Sequence, residues 1–276
     1  MSAGAVRLLA AAVLSTWVAA QDSRTPSAPP SQDRAEALLA ELDGRIYSAE
    51  RAGLSSAEFT YRPSATGPRE TTPFRVHVRW QKGRRETVAF EQPDGSPFAE
   101  LPEMLRQPSA IPGTPAPKEM IEQGARALVD LFRGVPYSER FAKWTKRLES
   151  KMVNGREERM LVCEPVAAGH FRRAELALDN QNLPWRVVWF LARSEGGTDQ
   201  LIDEPVWTEF DGKLLMTSFK KTRGQKSEQV VVKYVRKDGF LVPASYEKLN
   251  PGKPPEEFVF ENVILNAAPS SRPESR

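Results

Sequence analysis

From Leu148 onward the chain repeats one unit: a run rich in β-branched and aromatic residues, a turn signal, then another such run, with no helical spacing between them. Asn154-Gly155 is the strongest hairpin signal. Strands are predicted over 156–165, 171–179, 185–193, 204–210, 213–222, 228–237, 240–248 and 257–266. Turns are predicted at Asp179–Asn182, Asp211-Gly212, Gly224-Gln225 and Asp238-Gly239. Short, evenly spaced strands without intervening helices call for an antiparallel sheet. Residues 267–276 read as a polar tail.

Several of these strands are apolar on both faces. Trp185, Val187, Trp189 and Leu191 share one face, and Val188, Phe190 and Ala192 the other. Val230–Val235 and Phe258–Leu265 behave alike. An antiparallel sheet with one wet face alternates cleanly. The sheet centre is therefore expected to be covered on both sides, or to curve around a filled or ligand-holding interior.

The N-terminal half supplies the cover. Ala35, Leu38, Leu39, Leu42, Ile46 and Ala49 have helical spacing over 34–52, with Asp33 as N-cap and Gly53 as stop. Phe59 and Tyr61 begin a period-two pattern, and Phe74, Val76, Val78 and Trp80 continue it, with Val88 and Phe90 on the return. Register demands an odd loop between them, so a three-residue bulged hairpin with a left-handed Gly83 is predicted. Seven prolines between 92 and 118 break the sheet, with a short helix near Glu100–Arg106. A helix follows over 118–133, with Met120, Ile121, Gly124, Leu128, Leu131 and Phe132 as its stripe and Gly134 as its end. Residues 137–146 suit either a helix or a strand entry. The predicted class is α+β: one strongly curved antiparallel sheet, a half-barrel over 56–266, with the two helices on its concave face. A single domain is expected over 34–266.

The first twenty residues read as an export signal. Arg7 precedes an apolar run, Leu8–Val18, and Val18 and Ala20 fit the cleavage rule with Gln21 as the new N-terminus. The run is shorter than the roughly 20 residues a spanning helix needs. The expectation is an exported, periplasmic or secreted protein that is not membrane-spanning, with 21–33 as a Pro/Ser-rich linker. No Cys lies near the cleavage point to be lipidated. Cleavage would take the formal charge from +3 to +2, too near neutral for nucleic acid. The lone Cys163 sits in Met160-Leu161-Val162-Cys163 and reads as a small core hydrophobe. Stability then comes from packing, not disulfides.

Three segments carry a family resemblance: Ala174–Asp179 followed by Asn182–Val187, then Asp238–Pro243, then Phe258–Asn266. With the order signal, helix, strand pair, helical insertion and meander, the chain resembles the periplasmic lipoprotein carriers (LolA/LolB-like half-barrels) over 34–266. The resemblance implies a half-barrel that shelters lipid acyl chains or a lipoprotein lipid. The Pro-rich excursion and a basic hairpin near 220–226 depart from the pattern, and no functional residue of the family carries over.

Catalytic motifs are absent from the sequence. His77 and His170 lack metal-ligand spacing, and no nucleophile elbow, phosphate loop or dinucleotide fingerprint occurs. His77 sits between Arg75 and Arg79 in sequence and reads as a solvated surface residue in a cationic neighbourhood. Glu157/Glu158 and Asp203/Glu204 are adjacent, so each pair splits across a strand's two faces. The expectation is a binding protein with no enzyme activity, cofactor or metal. The candidate lipid-binding row is Trp80, Val88, Phe90, Trp189 and Phe219 on the sheet, closed by Leu38, Leu42 and Ile46 of the first helix. Ordinary core packing is the competing reading of these aromatics. Lys220, Lys221, Arg223 and Lys226 form either a solvated hairpin tip or a dock for anionic headgroups or an acidic partner. The alternative function is an envelope regulatory or scaffold module that binds a protein through the same sheet. A hydrolase with an unrecognised site is the third.

Overall fold

The turn chemistry fixes the meander. Asp211-Gly212 and Asp238-Gly239 both have positive φ (49° and 71°, 49° and 84°), the geometry that matches strand twist in two-residue hairpins. They join β8 (Thr198–Phe210) to β9 (Lys213–Arg223) and β10 (Lys226–Lys237) to β11 (Phe240–Leu249). The other strands of this run are β4 (Trp144–Val153), β5 (Arg156–Pro165), β6 (Phe171–Leu178) and β7 (Pro184–Ala192). The computed structural model describes residues 30–63, 73–108, 116–153, 155–167, 169–193 and 197–266. The expected export signal, the expected linker before Pro30 and the expected tail after 266 lie outside the described residues.

Every named strand pair is antiparallel, and neighbours in the meander are neighbours in space. Among the described residues, β12 (Glu256–Val259) to β4 form a nine-stranded sheet in unbroken reverse order. A second sheet of four strands runs β13 (Glu261–Leu265), β1 (Ser56–Tyr61), β2 (Arg75–Gln81), β3 (Thr87–Glu91). The single expected sheet is therefore divided. The division falls at Phe260. Val259 pairs with Ser245 of β11, while Glu261 pairs with Thr60 of β1. The Phe260 N–H still donates to the Ala244 carbonyl (2.9 Å). One run of chain thus closes one sheet and opens the other.

The β2–β3 register has the expected parity, with Val78 facing Val88 and Val76 facing Phe90. The strands part at Gln81 and Thr87, so the connection is residues 82–86 rather than three residues; Gly83 has φ 77°.

Two helices carry two separate cores, where one was expected. α1 spans Pro30–Arg45, not 34–52. It buries Ala35, Leu38, Leu39 and Leu42 against Leu161, Cys163, Ala174, Leu176 and Val187 of β5–β7. Asp33 lies within its first turn rather than capping it. Past Arg45 the chain is extended: Ile46 bridges Leu214 of β9, and the Tyr47 N–H donates to the Leu214 carbonyl (2.9 Å). α2 is Glu103–Arg106, and α4 is the short Tyr137–Arg140. α3 (Pro117–Arg133) starts with proline, carries Glu119 in its first turn and ends on a left-handed Gly134. It buries Ala125, Leu128, Val129 and Phe132, while Met120 of the expected stripe is exposed. Its partners are Phe59, Phe74, Val76, Val78 and Phe260, so α3 covers the four-stranded sheet and α1 covers β5–β7. No helix among the described residues is long and apolar enough to cross a membrane.

Segment 46–50 ties the two cores together. The Ser48 hydroxyl and the Glu50 N–H both donate to the Arg133 carbonyl (3.2 and 3.1 Å). A Cβ on Gly134 would lie 2.9 Å from the Tyr47 carbonyl oxygen and 3.0 Å from Ser48 Cα. Gly134 also has φ 60°, which an L side chain disfavours. Gly134→Ala should lose about 2 kcal/mol of stability by chemical denaturation; a neutral result would show that this junction yields freely.

The two-faced apolar strands are explained by different covers. In β5 all of Met160, Leu161, Val162 and Cys163 are buried. Leu161 and Cys163 face α1. Met160 and Val162 face the other way, in register with Ala177 and Glu175 of β6. Alternation puts Arg147, Lys151, Arg173 and Arg186 on that second face, where their aliphatic stems lie over apolar surface and their heads pair with Glu164, Glu175 and Glu158.

Candidate functional site

The expected lipid-binding row does not form one site. Trp189, Leu38 and Leu42 lie in the α1 cluster; Trp80, Val88 and Phe90 lie in the α3 cluster. Ile46 has left the helix and bridges β9. Phe219 belongs to neither cluster. Trp189 is anchored on both sides: its ring stacks on Phe141 (5.9 Å), and its indole N–H donates to Asp203 (2.9 Å).

What the sequence did not reveal is a groove at the middle of the nine-stranded sheet. β9 and β10 pair from Arg223/Lys226 to Ser218/Val231, and no further. At that point Thr217 is skipped in the β8–β9 register, because Val206 faces Ser218 and Trp207 faces Met216. A bulge of this kind bends its strand and breaks pairing locally. Beyond it the hydroxyl of Tyr234 reaches across from β10 to the Met216 carbonyl (3.2 Å), a side-chain bond where a ladder bond would otherwise run. The opening left is about 200 Å³, lined by Thr208, Phe210, Leu215, Thr217, Val232, Tyr234, Arg236 and Leu241.

The chemistry of this groove is one-sided. Leu215, Val232 and Leu241 form its floor, and none of them joins either packed cluster. On β8 and β9 the groove's Thr208 and Leu215 pair with each other on the face opposite Trp207 and Leu214, which pack on the α1 cluster, so this wall of the groove faces away from α1. Phe210 stands exposed at the mouth (43 %). Arg236 lies over the Phe210 ring (5.8 Å) and pairs with Asp211. The Thr208 and Thr217 hydroxyls bond each other (2.9 Å). Burial pushes the Tyr234 hydroxyl above its usual range, so it stays a neutral donor. The groove abuts the end of α1, because the Leu241 N–H donates to the Tyr47 hydroxyl (2.8 Å).

The basic hairpin is largely internally paired. Lys220 faces Glu204 (3.5 Å), Arg223 bonds Asp199 (2.8 Å), and Lys221 lies over the Phe219 ring (5.4 Å). Lys226 is exposed at the tip. Lys221 is also opposite Asp203 in register. Burial raises the Asp203 pKa, opposed by Lys221 and the Trp189 bond, and one of its carboxylate oxygens is buried without a partner.

Other polar groups hold structure. His77 shares its strand face with Arg75 and Arg79 but is not free in solvent: Nδ1 lies 2.8 Å from Glu91 and Nε2 2.9 Å from Glu58, which Arg79 also bonds. Cys163 is buried, and burial pushes its thiol up to about 12, so it is an inert core residue at neutral pH. Asp43, on α1, was missed from the sequence: its carboxylate accepts the Tyr137 and Ser138 N–H groups (2.6 and 3.1 Å) and pairs with Arg51 (3.0 Å). Two further openings, about 190 and 330 Å³, share Glu50 and Lys82 and are lined mostly by charged residues. Among the described residues no three His, Cys, Asp or Glu side chains cluster as a metal site.

No protein-family model matches the chain, and no curated protein does. Three solved structures are similar. The first is a domain described as that of an outer membrane lipoprotein-sorting protein from Vibrio parahaemolyticus: 9% identity, TM-score 0.37, 87% of this chain and 95% of that one. The second is a LolA superfamily protein from Nitrosomonas europaea: 8% identity, TM-score 0.35, 85% and 94%. The third is a DUF1329 family protein from Desulfovibrio piger: 8% identity, TM-score 0.32, 87% and 95%.

Proposed function

We propose that this is an exported carrier or binding protein that shelters an acyl chain in a groove of its large sheet, without catalysing a reaction. The carrying observation is the groove between β9 and β10. It lies outside both packed cores, and Leu215, Val232 and Leu241 give it an apolar floor. Burying hydrocarbon there gains roughly 25 cal/mol per Å² removed from water, with no catalytic group required. On this reading the ladder wraps as a half-barrel.

N-phenyl-1-naphthylamine, a neutral apolar probe, tests this. Its fluorescence should rise on mixing with the protein and fall again on adding a fatty acid. Thr217→Trp, which fills the groove from the bulge, should remove most of the signal. Native mass spectrometry of the purified protein should show co-purified lipid. An unchanged probe signal in Thr217→Trp, with no lipid bound, would sink the proposal.

A further inference from the structure

The groove has a size and a polarity, and together they define its ligand more narrowly than an acyl chain. A closed apolar cavity of about 150 Å³ holds one benzene molecule, and drug-sized ligands need about 300 Å³ or more. An opening of about 200 Å³ lies between these limits. The groove is open to solvent, so this volume sets the sheltered part of a tail, about six to eight carbons, rather than its whole length.

One cation stands among the groove's lining residues. Arg236 is half exposed, and its guanidinium pairs with Asp211, a turn carboxylate that is itself exposed (54 % and 64 %). Exposed pairs of this kind contribute about 0–1 kcal/mol. A competing carboxylate therefore displaces Asp211 at little cost. A planar guanidinium binds such a group through two parallel hydrogen bonds. Asp211 also occupies a left-handed turn position and is held there by the backbone, so it need not move with the ligand. The flanking Thr208 and Thr217 hydroxyls and the Tyr234 hydroxyl offer donors to an oxygen entering at the mouth.

Resting on the carrier reading, we infer that the groove is a site for a short anionic amphiphile: a carboxylate on Arg236 in place of Asp211, with a tail of about six to eight carbons over Leu215, Val232 and Leu241. The sheltered length follows from the volume, and the head group from the one cation at the mouth.

Isothermal titration of the whole protein with octanoate, octanol and palmitate tests this. Octanoate should bind a few-fold tighter than octanol, the most an exposed pair supports. Arg236→Gln should erase that difference and leave octanol binding unchanged. Asp211→Asn keeps a residue that tolerates the left-handed turn but removes the competing charge. It should tighten octanoate several-fold without affecting octanol. Palmitate should bind no more than a few-fold tighter than octanoate, because carbons beyond the sheltered six to eight stay in water. Equal affinities for octanoate and octanol, insensitivity to Arg236→Gln, or palmitate binding more than tenfold tighter would each overturn the inference and leave the carrier reading standing. If no amphiphile of any length binds, the carrier reading falls with it.

Discussion

Phe132→Ala should cost about 3–5 kcal/mol of unfolding free energy, the range for deleting a buried aromatic that leaves a cavity. Phe132 is 1% exposed at the end of α3. Its ring stacks on Phe59 of β1 (4.3 Å, 5°) and meets Phe260 edge-on (5.0 Å, 79°). Phe59 meets Phe260 in the same way (5.4 Å, 78°), so three rings from three elements close on one another. Few alternative rotamers could refill the space, because Phe59 is itself wholly buried. The position of the triad enlarges its effect. Phe260 is the residue at which the chain leaves the nine-stranded sheet for the four-stranded one, so loosening it weakens both. Small domains have about 5–15 kcal/mol in total, and the loss should show as a clear fall in denaturant midpoint. A change below about 1 kcal/mol would mean the triad repacks, and that the sheet crossing is held by the ladder alone.

The parts of this fold that the sequence foretold are those set by neighbours along the chain. Asp211-Gly212 and Asp238-Gly239 specify their turns locally, and β9 and β11 begin within a residue of the expected positions. The parity of the β2–β3 register followed from the alternation of Val76, Val78 and Phe90 alone. What was not legible depends on residues distant in sequence. Phe258–Leu265 is apolar on either side of Glu261-Asn262, and two polar residues in a strand do not by themselves mark Phe260 as a crossing. Apolar spacing continues through Ile46 and Ala49, yet the helix ends at Arg45: the Ile46 N–H still donates to the Leu42 carbonyl, but the Tyr47 N–H donates to Leu214 of β9 instead. His77 shows the same limit. Its neighbours in sequence are arginines, but Thr60 and Ala89 face it across the strands, which makes Glu58 and Glu91 its diagonal neighbours. The groove was hidden for a related reason: it exists because Thr217 is skipped, and a bulge in a threonine-rich strand has no sequence signature.

Asp43→Ala should cost about 3 kcal/mol, the larger part from leaving buried donors unpaired. Asp43 lies four residues after Leu39 and so falls on the buried stripe of α1, where a charge is expensive without partners. It has three. The first two backbone N–H groups of α4 donate to its carboxylate, and Arg51 pairs with it from the turn beyond segment 46–50. One acid thus caps a helix distant in sequence and fixes where the chain turns after α1. Its side chain is only 1% exposed, whereas Arg51 is 46% exposed, so the ion pair adds less than the two capping bonds. Asp43→Asn separates these contributions. Its amide oxygen still caps one N–H, so it should recover about half of the lost stability, while Arg51→Ala should cost under about 1 kcal/mol. Trp189 rests on Phe141, the residue that ends α4, so the loss should also alter tryptophan fluorescence before global unfolding. If Asp43→Ala and Arg51→Ala cost the same, the ion pair rather than the cap holds α4 in place.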